Sequence, residues 1–314
     1  MSDASSTEVL LIGAGAAGLS AAIWLHDLNI PFRWSDSSGK PGGILQRVNN
    51  RITNYPGITA GDGRAMIEAL AAHLRDLDLH SSIREERIDK LELPSDDDAP
   101  LRATLDGERL PFPAAIVATG TRYRRLGVPG EKEGLGDYIS QSSAGDGHHF
   151  AGQPVAVVGG GDAGFENALR LAGQGCAVTM LLRSSDHRAR PDFVRAAQRH
   201  PSIHIAPIPS IIERVEKRPE GGCRLNLEQR GDSVDLEVAA LFVRIGVEPI
   251  APQGLEELER DERGFLLVDR RCQTSEPRVF AAGDITATPL RSIATAVGDG
   301  ARAARSVGEF LNYL

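Results

Sequence analysis

The chain has 314 residues and a mass of 33.6 kDa, more than one typical domain of roughly 100–150 residues requires, so we expect two domains with separate cores. Its hydrophobic fraction of 41% is typical of a globular protein, and its net charge of −8 argues against nucleic acid as the main partner. The three cysteines lie far apart in sequence, which excludes a disulfide framework, a CxxC pair and a cysteine metal cluster. We therefore expect a cytoplasmic protein with no metal and no membrane segment.

The first predicted element is a buried parallel strand from Glu8 to Ile12, followed by a helix from Ala16 to Asp27. Between them lies a G-x-G-x-x-G fingerprint, with its glycines at Gly13, Gly15 and Gly18. A glycine turn in this context presents backbone N–H groups at a helix N-terminus, where they can bind a pyrophosphate. The fingerprint therefore predicts a dinucleotide site.

The next predicted strand, Pro31 to Ser35, ends at Asp36. Asp36 comes 23 residues after Gly13, about where a dinucleotide-binding fold places the carboxylate that accepts the ribose hydroxyls. The alternative is an ordinary turn aspartate before a Ser-Ser-Gly sequence. Together with the upstream glycines, the spacing favours ribose binding.

A second fingerprint follows a strand predicted over Pro154 to Val158, with glycines at Gly159, Gly161 and Gly164. The helix is followed by a strand predicted over Ala177 to Leu182, which does not end at an acid as the second strand of the first unit does. Arg183 follows it directly, and Arg188 comes five residues later. Arginines there can pair with a 2′-phosphate, which favours NADPH over NADH, and a solvated basic turn is the alternative. Two fingerprints in one chain indicate a flavoenzyme that moves electrons between two bound nucleotides.

Two apolar strands that end in glycine turns, at 116–120 and 279–283, flank this second unit. We therefore predict an α/β protein with two Rossmann-like, three-layer domains, the second inserted into the first. The first, discontinuous domain covers 1–121 and 248–314, and the inserted second domain covers 122–247.

Across nearly its whole length the chain resembles the low-molecular-weight thioredoxin reductases, a family of FAD- and NADPH-binding flavoenzymes. The matching segments are Gly13 to Gly18, Pro41 to Gly43, Asn54 to Gly57, Ala118 to Gly120, Gly159 to Gly164, Phe242 to Gly246, Gly283-Asp284, Arg291 and Gly298 to Gly300. The resemblance implies that 1–121 with 248–314 is the FAD-binding domain and that 122–247 is the NAD(P)-binding domain. It also implies that the two domains swivel and that the protein is a homodimer.

The resemblance also implies the residues that bind FAD. Asp36, Asn54 and Asp284 would hold the nucleotide, and backbone N–H groups at Arg291, Ser292 and Ile293 would meet the flavin ring. Further flavin-site positions implied by the match are Ala17, Gly43, Ala118, Gly120 and Gly283. Asp284 precedes a helix, where it could instead be a plain N-cap.

The chain departs from this family at the redox-active dithiol. The family's Cys-x-x-Cys-Asp-Gly matches the segment Ser142 to Gly147, where Ser142 and Gly145 replace the two cysteines. A serine hydroxyl forms no disulfide, so the ordinary thioredoxin reductase route is excluded. A pair among Cys176, Cys223 and Cys272 across the fold or between subunits stays open, although Cys176 is typical of a small buried hydrophobe.

Asp146, the acid of this motif, is retained. Either it caps the helix that follows, the interpretation we favour, or it protonates an acceptor over the flavin with help from His148 or His149. The pyridine nucleotide motif is also altered: over Leu182 to Arg188 two of the family's three arginines remain, and Asp186 adds a negative charge.

Three functions are compatible with these observations. The first is an FAD-dependent NAD(P)H oxidoreductase whose acceptor is a ferredoxin, a flavodoxin, a quinone or a small oxidant. The second is a flavoenzyme fed by ferredoxin or by a second FAD instead of a pyridine nucleotide. The third is a flavin-binding sensor without catalysis. We favour the first.

Overall fold

A computed structural model describes residues 7–49, 51–96, 99–186 and 188–314. The chain forms two compact units: the first extends to Arg122 and resumes at Glu248, and the second is Tyr123–Val247. The sequence-based boundary lies one residue earlier at the first crossing. The first crossing lies in the strand Thr121–Tyr123 and the second in the strand Val247–Pro249, and these two strands pair with each other.

The strands, in chain order, are β1 (Val9–Ile12), β2 (Phe32–Asp36), β3 (Ile83–Glu85), β4 (Ile88–Glu92), β5 (Leu101–Leu105), β6 (Glu108–Phe112), β7 (Ala115–Val117), β8 (Thr121–Tyr123), β9 (Ile139–Ser140), β10 (Pro154–Val158), β11 (Ala177–Leu181), β12 (Ile203–Ile205), β13 (Ser210–Lys217), β14 (Cys223–Gln229), β15 (Asp232–Val238), β16 (Ala240–Val243), β17 (Val247–Pro249) and β18 (Val279–Ala281). The α-helices are α1 (Ala16–Asp27), α2 (Gly63–Asp76), α3 (Glu131–Gly134), α4 (Ser143–Asp146), α5 (Asp162–Gly173), α6 (Pro191–Arg199) and α7 (Ile293–Phe310).

The first unit is built on a parallel sheet in the order β18-β7-β1-β2-β3. Both faces of β1 are buried: Val9 and Leu11 pack in the core beneath α1 and α7, whereas Leu10 and Ile12 pack against the antiparallel sheet β4-β5-β6. Burial on two sides explains the unbroken apolar sequence of this strand. The layers are therefore helices, parallel sheet and antiparallel sheet.

The second unit repeats this plan. Its parallel sheet runs β12-β11-β10-β16-β9 and carries a separate antiparallel sheet β13-β14-β15. Val155 and Val157 of β10 pack with α5, whereas Ala156 packs with β14 and β15 residues on the other face. The prediction of two Rossmann-like α/β units, the second inserted into the first, is confirmed.

A buried carboxylate closes one loop of the second unit. Glu131 is 3% exposed, and its two carboxylate oxygens accept hydrogen bonds from the backbone N–H groups of Leu126 and Gly127, each at 2.8 Å. Because both donors end in the same side chain, Glu131 is the anchor of this loop.

Candidate functional site

The first glycine turn joins β1 to α1 with no room for side chains at two of its glycines. Gly13 has φ +103°, a left-handed conformation, and a Cβ there would overlap the carbonyl oxygen of Ala118. A Cβ at Gly18 would overlap the carbonyl of Gly13, whereas one at Gly15 would meet nothing within 4 Å. The turn is thus closely packed at Gly13 and Gly18 but open at Gly15. The open side lies at the N-terminus of α1, where a phosphate can approach the backbone.

Asp36 holds this turn. Its Oδ2 accepts the backbone N–H of Ala14 at 2.9 Å, and its Oδ1 accepts the N–H and the hydroxyl of Ser38 at 2.8 and 2.6 Å. A carboxylate has about four lone-pair sites, so a ribose hydroxyl can still donate to it. The alternative interpretation, a turn aspartate, therefore describes part of what this side chain does.

A second glycine loop lies against the first. Gly42 donates its N–H to the carbonyl of Ala14 at 2.7 Å, and a Cβ on Gly43, whose φ is +52°, would lie 3.2 Å from the Cα of Gly15. The two loops approach so closely that their backbones form one wall of a cavity.

The cavity has a volume of about 680 Å³, within the usual range for ligand sites. The sequence-predicted residues that line it are Gly13, Gly15, Ala17, Asp36, Gly43, Ala118, Gly120, Asp284, Ser292 and Ile293. It also contains residues that sequence analysis missed, among them Glu86, Arg87, Asp89 and Thr121. The latter lie on or beside β3, β4 and β8, where no motif marked them.

Four predicted flavin-site residues are not part of the cavity lining among the described residues: Gly18, Asn54, Gly283 and Arg291. Gly18 and Gly283 lie beneath it, where a Cβ on Gly283 would meet the Cβ of Ala17 at 2.8 Å. Asn54 is exposed. These two glycines shape the floor of the cavity rather than its surface.

The side chain of Arg291 packs against Phe265 and does not line the cavity. Its guanidinium lies 3.8 Å from the centroid of the buried Phe265 ring, and one Nη donates to the carbonyl of Thr286 at 3.2 Å. Burial lowers the pKa of Arg291, and its Nε has no hydrogen-bond partner among the described residues. The side chain is therefore anchored beside Asp284, with one donor unused.

Asp284 and the start of α7 form the opposite wall. Burial raises the pKa of Asp284, while the charge of Arg291 opposes that shift. Ser292 caps α7: its hydroxyl accepts the N–H of Thr295, and its own N–H donates to the hydroxyl of Thr295 at 3.2 Å. The Ser292 N–H, which the family resemblance assigned to the flavin ring, is thus engaged within the cap.

The cavity residues fit a flavin dinucleotide. The open Gly15 and the N-termini of α1 and α7 supply backbone donors for phosphate, and Asp36 and Asp284 supply acceptors for hydroxyls. Thr121 lines the same cavity, and its hydroxyl is buried with no partner among the described residues. A buried hydroxyl without a partner is costly, so a polar ligand at this position would stabilise it.

The second unit has a turn with the same geometry. Gly159 has φ +139°, and a Cβ there would overlap the carbonyl of Arg244; a Cβ on Gly164 would overlap the carbonyl of Gly159. Gly161 again faces open space, at the N-cap of α5. The three glycines have the same roles as those of the first fingerprint, so this turn also leaves a helix N-terminus accessible.

The loop after β11 folds back on that turn. Arg188 donates its backbone N–H to the carbonyl of Gly160 at 3.0 Å, and Arg190 pairs with Asp162 through its backbone N–H at 2.7 Å and its Nε at 3.4 Å. Arg183 and Arg188 have exposed side chains that pair with no carboxylate among the described residues. His187, inside the predicted motif, lies outside the described residues.

The segment that matches the family's dithiol is a hydrogen-bonded helical turn. Ser142 is the N-cap of α4 and accepts the N–H of Gly145 at 3.2 Å, and Ser143 donates its N–H to Asn167 of α5 at 2.9 Å. Arg244 donates to the carbonyl of Gln141 at 2.5 Å. Hydroxyl, amide and guanidinium groups together hold this segment.

The sequence favours a helix-capping role for Asp146, but its side chain does not make the hydrogen bond that a cap requires. Asp146 occupies the N-cap position of the short 3₁₀ helix Gly147–Phe150, but its side chain makes no capping bond there. Instead its Oδ2 accepts the hydroxyl of Ser140 at 2.6 Å. His148 is exposed and stacks on His149, with ring centroids 3.9 Å apart.

The three cysteines lie in three different cores and none forms a disulfide. Burial raises the pKa of the Cys176 thiol, raises that of Cys223 to about 12 and raises that of Cys272 to about 11. A pair across the fold of one chain is therefore absent. Each thiol behaves as a small buried hydrophobe, as Cys176 was predicted to do.

Neither a metal cluster nor a membrane span is found among the described residues. Within 7–49, 51–96, 99–186 and 188–314, no group of three or more His, Cys, Asp or Glu is arranged to hold a metal ion. Over the same ranges, no helix has the length and apolar character to span a bilayer.

Comparison with known proteins identifies the family of the chain. The family model described as pyridine nucleotide-disulphide oxidoreductase matches residues 7–300. The chain is 30% identical over 309 residues to a thioredoxin reductase of Treponema pallidum, covering 98% of each protein. It is 33% identical to one of the subunits of the alkyl hydroperoxide reductase of Escherichia coli, covering 97% of this chain but 58% of that relative. This chain thus spans little more than half the length of the alkyl hydroperoxide reductase subunit.

The fold agrees with solved structures. The crystal structure of Lactococcus lactis thioredoxin reductase matches with a TM-score of 0.81 at 27% identity, covering 98% of this chain and 100% of that one. The chain belongs to the pyridine nucleotide-disulphide oxidoreductase family, and within it the chain is a thioredoxin reductase-like FAD/NAD(P) flavoprotein.

Proposed function

We propose that this protein is an FAD-dependent oxidoreductase that takes electrons from NAD(P)H and passes them to an acceptor other than a disulfide. A ferredoxin, a flavodoxin, a quinone and a small oxidant are the candidate classes. The observation that carries the proposal is the state of the thiols: Ser142 and Gly145 replace the dithiol, and the three cysteines are separate, buried and hard to ionise.

The first unit would hold FAD. Bound there, FAD supplies an electron carrier that can accept a hydride equivalent and release electrons singly or in pairs. Asp36 would accept ribose hydroxyls, and Asp284 would accept ribityl hydroxyls from the opposite wall of the cavity. Gly15 and the first turn of α1 would donate to the pyrophosphate. Asn54, which is exposed, has the weakest structural support among the proposed flavin residues.

The second unit would bind the pyridine nucleotide. Gly161 leaves the N-terminus of α5 open to a pyrophosphate, and the exposed guanidinium groups of Arg183 and Arg188 are available to a 2′-phosphate. This arrangement favours NADPH. The pairing of Arg190 with Asp162 removes one cation and one anion from the same surface, so it does not disfavour the phosphate.

Asp146 is the proposed proton donor to an acceptor that takes up protons when it is reduced, such as a quinone, and His148, two residues along the chain, is proposed to assist it. Asp146 is exposed, and the bond from Ser140 fixes one carboxylate oxygen while the other is available. We also propose a homodimer, as the resemblance implies, and a cytoplasmic location, which the unpaired cysteines favour. Symmetric pairs are the commonest assemblies of soluble proteins.

The test is anaerobic reduction of the purified yellow protein. Addition of NADPH should bleach the visible flavin absorbance within seconds, and NADH should do so less readily. The reduced protein is then mixed with ferredoxin, flavodoxin, a quinone, a small oxidant or a disulfide such as oxidised thioredoxin. We expect reoxidation by one of the first four and no turnover with the disulfide.

Two results would refute the proposal. If neither nucleotide bleaches the flavin, electrons must enter by another route, and reduced ferredoxin or a second flavin becomes the donor to examine. A flavin count near two per chain after acid release would favour the two-flavin version. Rapid turnover with a disulfide substrate would overturn the proposed acceptor class.

A further inference from the structure

One peptide group of the first glycine turn is held from both sides by two side chains of the same strand. Trp34 of β2 donates its indole N–H to the carbonyl of Gly13 at 3.0 Å, in a buried hydrogen bond. Asp36 accepts the N–H of Ala14 at 2.9 Å. The carbonyl of Gly13 and the N–H of Ala14 belong to a single planar peptide, so its plane is fixed at both ends.

The sequence of β2 explains this geometry. Side chains two residues apart on a strand point to the same face, so Trp34 and Asp36 both reach towards the turn. Trp34 is 1% exposed and packs in the core of the first unit, which fixes the position of its donor. The indole is therefore a rigid support beneath the turn.

The peptide that they hold follows a glycine, whose backbone is intrinsically flexible. Gly13 adopts φ +103°, and glycine populates positive and negative φ about equally. A rotation of this peptide would turn the carbonyl of Gly13 away from the indole and the N–H of Ala14 away from Asp36. Either change would also disturb Gly15, which lies on the open side of the turn.

We propose that Trp34 is a positioning residue for flavin binding: its indole N–H, together with Asp36, fixes the Gly13–Ala14 peptide so that the turn has its binding geometry before the nucleotide arrives. The inference rests on the proposed FAD site in the first unit. The apparent Kd equals the intrinsic Kd divided by the fraction of molecules that have the binding-competent conformation. If the turn without the indole bond is competent about one time in ten, the Kd for FAD rises about tenfold.

The experiment uses apoprotein freed of flavin and titrated with FAD. The two tryptophans are Trp24, 40% exposed, and Trp34, so a Trp24→Phe background leaves Trp34 as the sole indole. In that background FAD should quench the buried emission, an independent measure of binding near Trp34. Trp34→Phe removes the donor, and benzothienylalanine at position 34 keeps the bicyclic shape while replacing N–H by sulfur.

We expect both changes at position 34 to raise the Kd for FAD about tenfold. The Trp24→Phe protein should bind as the wild type does. Phe112→Leu is the matched core control: Phe112 is equally buried in the first unit but lies in the other core cluster, so its substitution should lower the apoprotein melting temperature without changing the Kd.

The outcomes separate two failures. If wild-type apoprotein binds FAD and the benzothienylalanine protein binds equally tightly, Trp34 has a packing role only and the inference is wrong, while the proposed function stands. If Phe112→Leu weakens FAD binding as much as Trp34→Phe does, general stability explains the effect, and the inference is again wrong. If wild-type apoprotein does not bind FAD, the proposed function itself fails and the inference with it.

Discussion

The hydroxyl of Ser140 donates a hydrogen bond to Asp146 at 2.6 Å, and the same hydroxyl accepts the backbone N–H of Ser142 at 3.0 Å. Ser140 therefore connects the retained acid of the family motif to the residue that replaces its first cysteine. The acid is therefore held by a hydrogen bond although Ser142 and Gly145 stand where the family has its two cysteines.

If Asp146 protonates the acceptor, Asp146→Asn should slow reoxidation of the reduced protein by a quinone, which takes up protons on reduction, by roughly 100-fold, within the usual range for loss of a general acid. Reduction by NADPH should be unchanged, because the acid serves only the second half-reaction. Stopped-flow measurement of each half-reaction separates the two. Ser140→Ala keeps the carboxylate but removes its anchor, so a smaller loss is expected. Equal reoxidation rates in Asp146→Asn and wild type would exclude the acid role.

Arg183→Ala should raise the Kd for NADPH about tenfold or more, since a hydrogen bond to a charged group contributes roughly 1.5–3 kcal/mol. The Kd for NADH, which lacks the 2′-phosphate, should stay the same. Arg195, exposed on α6, offers a matched control of equal charge change. Calorimetric titration of all three proteins with both nucleotides gives the comparison. A parallel loss of NADH affinity in Arg183→Ala would show that the guanidinium does not discriminate the phosphate.

The buried thiols predict a loss of stability at alkaline pH. Cys223 and Cys272 have pKa values of about 12 and 11 in the folded protein, against an ordinary value of 9.0. As pH rises past 9.0 the unfolded chain releases these protons first, so the free energy of unfolding falls. Urea titrations across this range should show the decline, and Cys223→Ala should make it shallower. An unchanged slope in that variant would assign the decline to other groups.

Glu131→Ala should destabilise the protein by about 2–3 kcal/mol, because it leaves the buried N–H groups of Leu126 and Gly127 without an acceptor. Glu131→Gln keeps one carbonyl oxygen and should lose less. Urea unfolding of the two variants measures the difference. The exposed Glu133 on the same helix is the control, since its removal should change the stability little. Comparable losses in Glu131→Ala and Glu133→Ala would argue against the anchor role.

The fold was predictable because its strands and turns depend on local sequence. The helix Ala16–Asp27 and the strand Pro154–Val158 have the predicted limits. The second strand differs by one residue at each end, running from Phe32 to Asp36 instead of from Pro31 to Ser35. Proline has no N–H to give to a ladder, and Asp36 is drawn into the sheet by its pairing with Glu85 of β3.

The cavity was only partly predictable. The motif glycines were predicted because their spacing reflects local turn geometry, whereas Asp284 was predicted from the family resemblance. Thr121 and Glu86 line the same cavity through contacts between strands distant in sequence, and no local pattern marks them. The donor role of Trp34 is of the same kind: in sequence it is one more apolar strand residue, and only the fold brings its N–H to Gly13.

Because the three native thiols are buried, they should react slowly with thiol-directed dyes, so the wild-type chain is suitable for site-directed labelling at introduced cysteines. Cysteines introduced at the exposed Ser81 of the first unit and Ser233 of the second would be far more reactive than the three buried ones. A dye pair attached there would measure by energy transfer whether the distance between the units changes when NADPH is added. The absent dithiol thus leaves the electron acceptor open, and the same absence allows the predicted motion of the two units to be tested.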